Sequence, residues 1–226
     1  MRWQCSCCCA CAVDETSRTG DQLLSLYALK PRFQAFVRPF VVRLAAAGVT
    51  ANAVTLLATA VSCALGALLL VAGIAELFLL LPIWMLLRMV LNAVDGMLAS
   101  EHGQRSTLGA YLNELCDVIS DAALYLPFVA VPPFGWGSVA SVIFLAGLSE
   151  MAGVLGLTVC AERRYDGPMG KSDRAAVFGA LGLAFGLAGK LPAWTFWVMP
   201  GVAVLIAITV VNRVRCGLAH APTIDS

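Results

Sequence analysis

An all-α, polytopic membrane protein is the fold class the sequence predicts, on three observations. Hydrophobic residues make up 60% of the 226 and charged ones only 13%, where a soluble domain has about a quarter charged. The apolar residues gather into six runs, each near the roughly 20 residues that a bilayer requires. The cations collect on one side of those runs, as the positive-inside rule demands. A net charge of +1 gives no reason to expect a nucleic-acid partner, and membrane lipids are the expected surroundings.

Residues 1–22 open MRWQCSCCCACAVDETSRTG and hold five of the nine cysteines. They lack the apolar core of about 7–15 residues that a secretory signal needs. Cys7, Cys8 and Cys9 are adjacent with no His nearby, so metal-finger spacing is absent. A disordered, Cys-rich extension is expected, with lipidation of its thiols as an alternative. Cys63, Cys116, Cys160 and Cys216 are scattered in or beside apolar runs and read as small core residues, not disulfides. Residues 23–48 mix Lys30, Arg32, Arg38 and Arg43 with Leu, Phe and Val. That pattern predicts an N-terminal amphipathic helix in the membrane interface, its cations toward lipid phosphates. Thr50 or Asn52 then caps the first span.

Within a membrane domain of residues 49–216, six transmembrane helices are expected. They run over about 53–73, 77–98, 108–131, 138–160, 174–190 and 194–213, leaving 217–226 as a tail. Placing both termini in the cytoplasm puts Lys30, Arg32, Arg38, Arg43, Arg105, Arg163, Arg164, Lys171, Arg174, Arg213 and Arg215 on that side and only Lys190 opposite. This asymmetry fixes the orientation and puts the loop 161–173 inside. A bacterial inner membrane is the expected location. Trp84, Trp136, Trp194 and Trp197 mostly fall near span ends, as interface anchors do.

One stretch breaks the apolar pattern: Asn92–Asp121, NAVDGMLASEHGQRSTLGAYLNELCDVISD. Ionisable groups at membrane depth are costly and line cavities or pathways. Asn92 and Asp95 lie three apart and share a helix face. Asn113, Asp117 and Asp121 step by four and form a stripe. Gly96, Ala99 and Gly109 let a backbone or a ligand come close. Two helices joined by a short polar turn would aim their carboxylates into one pocket, a site for hard cations and phosphate.

This stretch resembles the signature of the CDP-alcohol phosphatidyltransferases, D-x2-D-G-x2-A-R-x8-G-x3-D-x3-D. Asn92 stands at the first Asp, Asp95-Gly96 matches the Asp-Gly pair, and Ala99 matches. Ser100 replaces the Arg, and Gly109 follows after eight residues. Asn113 replaces the third Asp, and Asp117 matches the fourth. The resemblance implies a six-helix membrane enzyme of phospholipid biosynthesis. Such an enzyme moves a phosphatidyl group from a CDP-linked donor, such as CDP-diacylglycerol, to an alcohol acceptor and releases CMP. It implies Mg²⁺ or Mn²⁺ held at Asp95 and Asp117, with Asn92 and Asn113 at the other ligand positions and Asp117 as general base. An Asn carbonyl coordinates a hard cation but brings no charge. Weaker metal binding, a single ion, or recruitment of Asp121 or Glu114 is therefore expected. Substrate is expected against Gly96, Ala99 and Gly109.

Gly170-Lys171-Ser172-Asp173-Arg174 resembles the GKxKT-like turn before the fifth helix of several members, which implies that Lys171 and Arg174 hold an anionic substrate group. Positive-inside charge would account for the same two cations. Glu150, alone in an apolar run, is a functional candidate or an interhelical hydrogen-bond partner. Arg88 is a partner for Glu150 or for an Asp of the site. Two other classes stay open: a catalytically degenerate relative that binds CDP-lipid or scaffolds membrane enzymes, and a small cation transporter. A homodimer is possible, and the acceptor alcohol is not readable.

Overall fold

The computed structural model describes residues 26–221, with side chains from residue 35 onward, and every regular element among them is helical. The Cys-rich extension expected over residues 1–22 lies outside the described residues. Helix α1 (Leu26–Ala46) is followed by α2 (Ala51–Ala72), α3 (Leu80–Glu101), α4 (Thr107–Tyr125), α5 (Trp136–Val159), α6 (Lys171–Ala188) and α7 (Val198–Ala219). Short 3₁₀ turns lead into α3 and α7 and prolong α4. Thr50 caps α2, its hydroxyl accepting from Ala53 N–H at 3.2 Å. Ser106 caps α4 by accepting from Gly109 N–H at 2.9 Å. Both satisfy backbone donors that the first helical turn leaves unpaired.

Four segments are long and apolar enough to cross a membrane: Ala51–Ala72, Ala75–Glu101, Trp136–Val159 and Ala193–Ala219. The other two expected spans, α4 and α6, are helices close to the expected bounds, but their composition does not mark them as spans. Helix α4 has Glu114, Asp117 and Asp121 in 19 residues, and α6 opens with Lys171, Asp173 and Arg174 in 18. Their charges belong to the site. In α1, Val37 and Val41 are buried against Val54, Val94 and Leu98, and Arg38 bonds Glu101 at the end of α3 at 3.0 Å. That cation docks helix to helix.

Helix α2 packs on α3 and α4, α3 on α6, and α5 on α7. The α2–α4 crossing depends on Gly66, where a Cβ would sit 2.1 Å from the carbonyl oxygen of Ala123. Only glycine allows that approach, which brings the acidic stripe of α4 inside the bundle. An aromatic cluster forms the apolar core beside it. Tyr125 stacks on Phe178 with ring centroids 3.8 Å apart, and Phe128 meets Phe78 and Phe178 edge-on. Trp136, Trp194 and Trp197 are exposed near helix starts, as anchors would be, whereas Trp84 donates its indole N–H to Ser62 Oγ at 2.9 Å.

Candidate active site

Two cavities meet at Asn92 and Asn113. The larger, of about 490 Å³, is lined by Arg88, Asn92, Asn113, Asp117, Arg163 and Lys171, together with Glu150, Tyr165 and Arg213. The smaller, of about 360 Å³, is lined by Thr55, Asn92, Asp95, Gly96, Ala99, Gly109 and Asn113. Helices α3 and α4 bring Asn92, Asp95, Asn113 and Asp117 to these cavities, as their spacing predicted. Gly109 keeps the smaller cavity open: a Cβ there would be 2.8 Å from Asn52 Oδ1.

Asp117 is held by one oxygen. Its Oδ1 accepts from Lys171 Nζ at 2.5 Å, Arg88 Nη2 at 3.2 Å and Asn92 Nδ2 at 3.4 Å. No partner among the described residues reaches its Oδ2, so the second oxygen is free to accept a proton or a ligand. Asp95 is only 5% exposed and accepts from Thr55 Oγ1 at 2.8 Å. No cation pairs with it among the described residues.

Asp121 and Arg174 lie on neither cavity. Asp121 accepts from Arg88 Nη1 on Oδ1 at 2.5 Å and from Arg174 Nη2 on Oδ2 at 3.1 Å. Arg174 is 0% exposed and spends its other contacts on Glu150 Oε1 at 2.9 Å and Ser149 Oγ at 3.2 Å. Glu150 also accepts from Arg163 at 3.0 Å and has Arg213 at 3.7 Å. Arg163 bonds Glu114 as well. These pairs join α3, α4, α5, α6, α7 and the loop after α5 into one network. It holds four carboxylates (Glu114, Asp117, Asp121 and Glu150) against five cations (Arg88, Arg163, Lys171, Arg174 and Arg213). The cation in excess suits an anionic ligand such as phosphate.

The loop after α5 roofs the larger cavity and is tied down at both ends. Arg164 N–H donates to Gly153 O at 3.1 Å, and Met169 N–H donates to Thr209 Oγ1 at 3.0 Å. Within it Arg164 bonds Asp166 at 2.9 Å. Burial pushes the Asp166 carboxyl up, but the hydrogen bond and charge of Arg164 outweigh it and hold Asp166 below the usual carboxylate range.

The donor set decides how much metal the site can take. No point among the described residues gathers three or more His, Cys, Asp or Glu side chains. Asp121 and Glu114 are bound by arginines, so neither stands ready for recruitment. A divalent ion on Asp117 would meet Lys171 and Arg88. Like unit charges about 4 Å apart repel by about 4 kcal/mol at an effective dielectric near 20. Two ions do not fit this arrangement. One fits at the smaller cavity, where Asp95 brings charge and Asn92 and Asn113 bring neutral oxygens, the hard donors that Mg²⁺ and Mn²⁺ prefer.

A sequence profile described as CDP-alcohol phosphatidyltransferase matches residues 48–214. The chain belongs to that family. It is 45% identical over 192 residues to the inner membrane protein YnbA of Escherichia coli K12, a match covering 85% of this chain and 96% of that one. It is 27% identical over 191 residues to the phosphatidylinositol phosphate synthase of Mycobacteroides abscessus, covering 81% and 84%. Among solved structures the chain is similar to the phosphatidylinositol phosphate synthase of Mycobacterium tuberculosis. The crystal structure with CDP-DAG bound superposes with a TM-score of 0.66 at 22% identity, covering 83% of this chain and 96% of that one. The crystal structure in complex with manganese and citrate gives 0.63 at 23%, covering 83% and 91%. These likenesses establish the family fold, and four apolar helices with a relative named for the inner membrane indicate an integral membrane protein.

Arg163 and Arg213 also line the larger cavity, and sequence reasoning gave them no role beyond topology. Arg213 lines the larger cavity, 3% exposed, and bonds Ser149 O. An arginine that near the end of an apolar helix was the available signal.

Proposed function

We propose that the chain is an integral-membrane transferase that moves a phosphatidyl group from a CDP-linked lipid to an alcohol and releases CMP. The observation that carries this is Asp117, which lines the larger cavity: it is anchored through Oδ1 by Lys171, Arg88 and Asn92, and its Oδ2 has no partner among the described residues. That is the posture of a general base, one oxygen fixed and the other available to an incoming hydroxyl. Oδ2 takes the alcohol proton as the alcohol oxygen bonds the phosphorus. The bond from that phosphorus to the CMP oxygen breaks, and CMP leaves with the electron pair.

The smaller cavity suits the donor pyrophosphate, with Gly96, Ala99 and Gly109 leaving room for it. One Mg²⁺ or Mn²⁺ at Asp95, Asn92 and Asn113, when bound, supplies neutralisation of the phosphate charge. Lys171 adds a cation on the side of the larger cavity. Asp121 and Arg174 act from behind as a clamp that sets α4 against α6. Relatives solved with CDP-DAG and with manganese support the donor class and the ion. In this reading α4 and α6 also cross the membrane, six spans in all, with the site facing the cytoplasm of a bacterial cell.

The deciding experiment supplies purified protein in nanodiscs with CDP-diacylglycerol, Mg²⁺ or Mn²⁺, and a panel of alcohols: glycerol 3-phosphate, inositol phosphate and serine. CMP release that needs both the ion and one of the alcohols is expected. Saturable CDP-diacylglycerol binding with no CMP release from any alcohol would favour the degenerate, lipid-binding alternative.

A further inference from the structure

Three groups converge on one oxygen of Asp117, and the nearest of them is an ammonium. Lys171 is the first residue of α6, and the start of that helix is pinned twice. Asp173 Oδ2 accepts from Gly170 N–H at 2.9 Å, and Arg174 is buried between Asp121 and Glu150. From this fixed base Lys171 reaches Asp117 Oδ1 at 2.5 Å with its side chain 27% exposed. Asn92 turns its amide nitrogen toward the same oxygen at 3.4 Å. An aspartate at 92 would put a bare acceptor there and repel Asp117. Asn92 and Lys171 are thus two halves of one arrangement: a donor and a cation on a carboxylate.

We propose that Lys171 is a resident counter-cation that takes the place of a divalent ion at Asp117, so that the chain holds one ion only, on the Asp95 side of Asn92 and Asn113. The proposal rests on the transferase reading for its purpose but not for its test. A tethered ammonium cannot dissociate as a metal does. It neutralises Asp117 through Oδ1 and leaves Oδ2 without a partner among the described residues. The other carboxylates of the ion-pair network offer no substitute, since Glu114, Asp121 and Glu150 are each bound to arginine.

The test counts Mn²⁺ on the full chain in nanodiscs by electron paramagnetic resonance and calorimetry, with turnover read separately. The wild type should bind one Mn²⁺. Asp95→Asn should weaken it by about tenfold or more, as the loss of a ligand does. The double variant Asp117→Asn/Lys171→Met removes one charge of each sign and should leave Mn²⁺ affinity within about twofold, because Asp117 is not a ligand. Two ions on the wild type, none, or a loss of about tenfold or more in the double variant would overturn the proposal. The wild-type stoichiometry decides even where a variant fails to fold. Absent CMP release beside a single Mn²⁺ at Asp95 would sink the transferase reading and leave this one standing.

Discussion

Arg174 Nη2 lies 3.1 Å from Asp121 Oδ2, and both groups are buried, Arg174 wholly and Asp121 to 5% exposure. One turn further on, Tyr125 and Phe178 stack, so α4 and α6 match turn for turn, ion pair then ring pair. Removing one partner of such a pair strands a charge in the interior. Asp121→Ala should therefore lower stability by about 3–5 kcal/mol, read as thermal unfolding in detergent. Added Mg²⁺ should give no rescue, because Asp121 already spends both oxygens on arginines.

Asp117→Asn tests the base directly. Turnover should fall at least about 10²-fold, while CDP-diacylglycerol binding, measured by calorimetry, stays. Retained turnover would move the base elsewhere, and Asp95 would be the group to examine next.

Arg163 joins Glu114 of α4 to Glu150 of α5 from the loop after α5. Arg163→Gln should free that loop over the larger cavity. Amide exchange across residues 161–168 should quicken, and the KM for the alcohol should rise more than the KM for the lipid donor. Unchanged exchange would show that the Gly153 and Thr209 contacts alone hold the loop.

Orientation has its own check. With the native cysteines replaced, a cysteine at Gly135 should react with an impermeant reagent from outside the cell, and one at Gly167 should not. The opposite pattern would turn the site to the other face of the membrane and remove its access to cytoplasmic CDP-linked donors.

The local rules carried far. Thr50 does cap α2, and the three- and four-residue steps do bring Asn92, Asp95, Asn113 and Asp117 around two adjoining cavities. Spacing names a helix face but not what stands opposite. Asp121 follows Asp117 by one turn on the same stripe and is an expected recruit for the metal, yet two arginines from other helices take both its oxygens. Arg174 likewise counted as a cation near the cytoplasm, and nothing within its own segment foretold full burial against partners 24 and 53 residues away. Long-range pairing decides such roles, and a single sequence does not encode it in any period.

Asn92 and Asn113 line both cavities, so the two compartments share these side chains as common wall. A change at either position will be felt by whatever sits on both sides of it. Variants there should shift the kinetic constants for lipid and alcohol together, whichever substrate they were meant to alter. Adaptation to a new alcohol is therefore channelled to residues that touch the larger cavity and not the smaller, Tyr165 among them. The partition itself stays fixed while the chamber beyond it is refitted.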